Sequence, residues 1–362
     1  MRRGLLAWSE VEVPPAVLDS RVARLQGAMA EAGLDAVLVY TSFPRPAGVS
    51  FLTHFVPYWS QGLLAVFPDG EPVLLVSLSK RVANWIEETS KVSEIVCTPA
   101  IGRGAATLIA GRAPGAKRIG VVELSRLPGG IGQPLQAGLA SATLEDASDL
   151  FRRIRHPADA AETALSSRAA AIAGDALDGL AQANPANTGA AIELLEAACR
   201  QAGAEDVLIL IAPDLTRDAA LQRLEGVAPL GSRYGIRLSV AYKGHWVRLQ
   251  RSFAAACATD GAILDGIETW VAEALPRLRD GSKGLSGLTE NGSAPGELKP
   301  AAIVAEACIG CAPLTELSAM PAGAVVNVSI SLTDSSGGWW LAGGPVLLAD
   351  RPGQPARALT PG

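Results

Sequence analysis

The sequence predicts an α/β domain over residues 1–150 followed by an α+β domain over residues 151–362. Three features carry this reading. Helical and strand patterns alternate through the first 150 residues, the signature of layered α/β structure. The composition then shifts at the basic run Phe151-Arg152-Arg153-Ile154-Arg155-His156-Pro157 into a long alanine-rich stretch, and from Asp206 onward strands dominate. A chain of 362 residues has the length to bury two cores.

Residues 17–34 place Val22, Leu25, Met29 and Ala32 on one helical face, and Gly33 ends that helix. Residues 36–40 read as a strand, and residues 63–67 and 72–76 as a hairpin around Asp69-Gly70. A helix over 80–88, a strand over 94–96, a helix over 105–113 and a strand over 118–123 complete the first domain. In the second, a helix over 158–183 breaks at Asn184-Pro185 and a further helix spans 189–202. Strands follow at 207–211, in a hairpin over 234–253, at 324–332 and at 345–348, with a helix at 261–278. The glycine- and serine-rich residues 280–296 form the expected mobile loop.

Composition excludes several classes of function. With 49% hydrophobic and 19% charged residues the chain is globular rather than disordered. A net charge of −5 gives no electrostatic case for nucleic acid. No apolar run approaches the roughly 18 residues that cross a bilayer, so no membrane association is expected. The N-terminal apolar run is short and soon interrupted by acids, unlike a signal peptide, which points to the cytoplasm. Five scattered cysteines agree with a reduced compartment. The pair Cys308 and Cys311 lacks companion ligands at zinc spacing and reads either as two small buried residues or as a redox pair.

The most informative stretch is 234–253. Ile236, Leu238 and Val240 alternate on one arm, Lys243-Gly244 makes the turn, and the second arm runs from Trp246 to Phe253. Arg237 and Arg248 stand one on each arm. Alternation places Trp246 on the face of Arg248, and His245 on the opposite face unless a bulge intervenes.

These strings resemble the creatinase, prolidase and Xaa-Pro aminopeptidase superfamily, the pita-bread fold, over essentially the whole chain. Arg21, Arg24, Leu25, Met29 and Gly33-Leu34-Asp35-Ala36 match the family's arginine-rich first helix and the strand after it. Phe51-Leu52-Thr53-His54-Phe55 is similar to the following family motif. Ile236, Leu238, Tyr242, Gly244, Leu249, Arg251 and Phe253 fall in step with the metal-binding hairpin. The resemblance implies a small creatinase-like α/β domain over 1–150, a pita-bread domain with a curved antiparallel sheet over 151–362, and a homodimer.

In the family that hairpin carries two aspartates that bind a pair of divalent metals, and here Arg237 and Arg248 hold those positions. The family's histidine ligand falls on Ala307, and its two glutamates fall near Ser329 and Gly343. An arginine has no lone pair to give a metal. No metal and no other cofactor are therefore expected. Metal-free family members rely on a histidine whose position falls near Ala220 here. Of His54, His156 and His245, only His245 lies in the hairpin, which makes it the candidate general base.

Three readings remain open at the level of sequence. In the first, the protein binds, and hydrolyses or otherwise transforms, a small anionic amide or amine metabolite, with Arg237 and Arg248 as an anion clamp and Trp246 and Ser329 beside them. Trp339-Trp340 supplies an aromatic wall in this version. In the second, internal acids neutralise the arginines and the chain is a non-catalytic partner subunit of an active homologue. In the third, it is an Xaa-Pro-type metallo-aminopeptidase with its ligands elsewhere.

Overall fold

Residues Arg2–Arg155 and His156–Gly362 make up two separate units. The computed structural model describes residues 8–57, 59–224, 226–254, 258–278, 294–295, 297–306, 322–351 and 354–359. Both cysteines of the Cys308–Cys311 pair, Ala307 and most of the loop at 280–296 lie outside the described residues.

In the N-terminal unit the first helix, α1 (Pro15–Ala32), carries proline at a position where its missing N–H costs nothing, and it ends at Gly33 in the left-handed region. Its buried stripe is Leu18, Arg21, Leu25 and Met29, so a charged residue sits on the face that the sequence assigns to apolar ones. Arg21 is accommodated because Nη1 donates to the Phe51 carbonyl (2.8 Å) while the guanidinium stacks over the Phe51 ring. There follow β1 (Ala36–Ser42), α2 (Ala47–Thr53), β2 (Gln61–Val66), β3 (Val73–Val76), α3 (Ala83–Thr89), β4 (Glu94–Cys97) and α4 (Ile101–Arg112). The unit closes with β5 (Arg118–Val122), α5 (Gly129–Gly138), β6 (Thr143–Asp146) and α6 (Ser148–Arg155).

The six strands form one mixed sheet in the order β4-β3-β2-β1-β5-β6, antiparallel only at β1–β2 and β2–β3. Alternate residues of its central strands feed different cores. Val37, Val39, Leu64 and Val66 pack with Leu25, Met29 and Phe151, whereas Ala36, Leu38, Leu63 and Ala65 pack with Ile101, Ala105 and Ile109 of α4 and Leu135 of α5. The Asp35 carboxylate accepts the backbone N–H groups of Lys117 (2.7 Å) and Arg118 (2.9 Å), joining the start of β1 to β5. These bonds, that of Arg118 foremost, hold Asp35 below the usual carboxylate range.

In the C-terminal unit α7 (Ala160–Ala183) is capped by Asp159, whose side chain accepts the Glu162 N–H at 2.9 Å, and α8 (Thr188–Gln201) by Asn187 in the same way. Next come β7 (Asp206–Ala212), β8 (Arg233–Tyr242), β9 (His245–Ala254), α9 (Ala258–Ala274) and β10 (Lys299–Glu306). The last strands are β11 (Val325–Thr333), β12 (Trp339–Gly343), β13 (Pro345–Leu347) and β14 (Arg357–Ala358). All strand pairs of the second sheet are antiparallel, in the order β14-β13-β11-β12-β9-β8-β7, and β10 pairs with β11.

One face of this sheet is apolar and lies under helices. Ile236, Leu238, Val240, Val247 and Leu249 pack on Ala169, Leu177, Ala191 and Leu195 of α7 and α8. Val326, Val328, Ile330 and Trp340 continue that face and pack on Ile267 and Trp270 of α9. Strand residues of opposite parity therefore lie on the other face.

Candidate functional site

The pairing of β8 with β9 runs without a shift from Arg233–Ala254 to Tyr242–His245. Arg237 stands opposite Gln250 and Ser239 opposite Arg248, so both arginines share the polar face. Trp246, opposite Ala241, joins that face and is half-buried. His245 closes the hairpin opposite Tyr242 with the parity of Val247, which places it on the face away from Arg248. His54 caps the end of α2 in the N-terminal unit, and His156 precedes α7.

Long-range pairs bring further polar groups to the arginines. On β11, Asn327 stands opposite Glu306 and Ser329 opposite Val304, so Asn327, Ser329 and Glu306 have one parity. The side-chain Oδ1 of Asn327 accepts the Arg248 backbone N–H at 2.9 Å, and the Arg248 guanidinium is bonded to the Glu306 carboxylate and reaches Ser239 Oγ at 3.4 Å. Ser329 is buried on the same strand, two residues from Asn327; among the described residues no hydrogen bond ties it to either arginine.

Arg237 has a different environment. Its Nε donates to Gln250 Oε1 at 2.9 Å, and among the described residues this is its one hydrogen-bond partner and it has no carboxylate. Burial pushes the guanidinium below its ordinary value. Gln250 is itself fixed, 3% exposed, with Nε2 donating to the Ile330 carbonyl at 3.0 Å.

Gln250, Ser239, Asn327 and the Glu306 partnership were not singled out by sequence reasoning. Period-two counting from Arg248 and Arg237 reaches Gln250 and Ser239 directly, but nothing local announces a contact between residues 58 apart. The aromatic wall needs correction. Trp340 is fully buried on the helix-covered face, stacked under Arg233 at 3.6 Å, and only Trp339 has the parity of the arginine face. Arg251 has the opposite parity and pairs with Asp178 and Glu268.

Among the described residues, the side chains gathered around Arg237 and Arg248 do not supply the donors of a pair of divalent cations. Such a centre needs several carboxylate or imidazole donors. Beside the two guanidiniums, the described residues place the amides of Gln250 and Asn327, the hydroxyls of Ser239 and Ser329 and the Glu306 carboxylate, already bonded to Arg248; Asp206, opposite Ala241, shares the parity of the face. Among the described residues no three His, Cys, Asp or Glu come together as a metal site. Gly343, where the resemblance places a glutamate, has φ of 132°, and a Cβ built there would lie 2.1 Å from the Val328 carbonyl oxygen. The backbone leaves no room for a side chain at that position.

A mixed sheet with helices on both faces, followed along the chain by an antiparallel sheet with helices on one face, defines the pita-bread class of folds. The chain superposes on the prolidase from Pyrococcus horikoshii OT3 with a TM-score of 0.71 at 15% identity, covering 94% of this chain and 98% of that one. It superposes on the X-Pro aminopeptidase from Thermotoga maritima MSB8 with 0.71 at 17% identity (94% and 97% covered), and on the Xaa-Pro dipeptidase from Bacillus anthracis with 0.70 at 18% identity (95% and 98%). No curated protein sequence matches the chain. Residues 21–156 match the creatinase/prolidase N-terminal domain, and the whole chain shares the fold of these prolidase and aminopeptidase structures. No helix among the described residues is long and apolar enough to cross a membrane.

Proposed function

We propose that this is a metal-independent pita-bread-fold protein that binds a small anionic amide or amine metabolite on the arginine face of its second sheet. The observation that supports the reading is Arg237: a half-buried guanidinium bonded to a neutral amide, with no carboxylate partner among the described residues. A cation withdrawn from water without a counter-charge is costly, and an anion that supplies one is bound in proportion. Arg248 takes a supporting role in this version, because Glu306 already balances it.

The reading is tested by a thermal-shift screen with small carboxylates and phosphate. A ligand present at 100 times its Kd adds about 2.7 kcal/mol to stability, which for a domain of this size is about 5–10 °C in Tm. Arg237→Ala should abolish the shift while the variant stays folded. No shift with any anion would remove the proposal.

The Arg248–Glu306 pair favours a second reading, a non-catalytic partner subunit, since one former ligand position is balanced from within the chain. That version predicts no anion-dependent shift and a stable complex with an active homologue, read by co-purification of the two chains.

A further inference from the structure

The arginine face does more than supply charge, because one of its residues fixes which edge of Arg237 is offered. A guanidinium has two binding edges, one made by Nε with an Nη and one made by the two Nη groups. Gln250 takes the first edge through Nε. Its amide cannot turn over, since Nε2 is committed to the Ile330 carbonyl and a flipped amide would set an N–H against the Arg237 N–H. What is left is the end-on fork of the two Nη groups, whose spacing suits the two oxygens of a carboxylate. The second cation on the face, Arg248, is held by Glu306 on the neighbouring β10. Because Glu306 already balances Arg248, a second negative charge on a ligand gains little from that arginine.

Resting on the anion-binding reading above, we infer that Gln250 is the positioning residue that presents Arg237 as a carboxylate fork, and that the site selects a monocarboxylate over a dicarboxylate or a phosphate. Two substitutions at Gln250 separate position from charge. Gln250→Glu places a carboxylate against Arg237 and so supplies the missing counter-charge from inside the protein. Gln250→Met keeps length and apolar bulk, removes both hydrogen bonds, and leaves Arg237 charged but unfixed.

The experiment measures thermal shifts and apparent Kd for N-acetylglycine, succinate and inorganic phosphate on the full chain, for the unaltered protein and both variants. The expected result is tighter binding of N-acetylglycine than of succinate or phosphate, loss of that binding in Gln250→Glu, and about tenfold weakening in Gln250→Met. Unchanged N-acetylglycine binding in Gln250→Met would overturn the role of Gln250. Tighter binding of succinate or phosphate would overturn the monocarboxylate preference. If no anion binds the unaltered protein, the anion site itself falls and this inference falls with it. Should Gln250→Glu fail to fold, Gln250→Met decides, because unaltered affinity there is incompatible with a positioning residue.

Discussion

A guanidinium taken out of water needs a compensating group, and three arginines of β8 and β9 meet that need in different ways. Arg233 has Asp334 at 2.9 Å, Asp260 at 3.4 Å and the Trp340 ring beneath it. Arg248 has Glu306, and Arg237 has only an amide among the described residues. Asp334 is the centre of the first arrangement. Burial would raise its carboxyl, but bonds from Ser336, Arg233, the Gly338 N–H and Trp340 outweigh that and hold it well below the usual range. Because the folded value is depressed, its stabilisation is complete above the ordinary carboxylate value near pH 4 and is lost as pH falls through and below it. Asp334→Ala should lose about 1–3 kcal/mol at neutral pH, the usual cost of removing one partner of a buried hydrogen bond, since Arg233 keeps Asp260, as read by urea unfolding. Asp334→Asn should show a smaller loss of stability between pH 6 and pH 3 than the unaltered protein, in paired melts.

At the scale of elements, β12 and β13 follow one another along the same edge of β11, pairing with residues 330–333 and 325–327 in turn. The chain steps between them at Gly343, and this geometry demands glycine: its φ of 132° is closed to L side chains and its missing Cβ makes room for the Val328 carbonyl. Gly343→Ala should cost about 1–3 kcal/mol from the backbone alone, visible as a lowered denaturation midpoint. Gly343 also pairs with Gln250 across β12 and β9, so the same variant should weaken N-acetylglycine binding. The hairpin of β8 and β9 was legible in the sequence because alternation and a Lys243-Gly244 turn are both local signals. The helix α5 was not, since its glycines and internal Pro134 oppose helix propensity and its place is fixed by packing on α4. The basic run at 152–155 read as the opening of the second domain, yet it belongs to α6, whose Leu150, Phe151 and Ile154 are buried in the first core.

For the molecule as a whole, the fold persists at 15–18% identity to prolidases and aminopeptidases because strand alternation and helix stripes survive extensive residue exchange. If the proposed metal independence is right, the purified protein should contain well under one divalent ion per chain by elemental analysis, and EDTA should leave its Tm unchanged. Two ions per chain would restore the metallo-aminopeptidase reading. By itself the sequence determined the two-faced hairpin and carried the resemblance that sets arginine where aspartate is expected, since both rest on local strings of residues. The tertiary structure alone decided that the two arginines differ. Glu306 lies 58 residues from Arg248 and reaches it only because β10 pairs with β11, while Gln250 meets Arg237 through the register of a single hairpin. Charge compensation depends on distance in space, and the order of residues along the chain does not encode it.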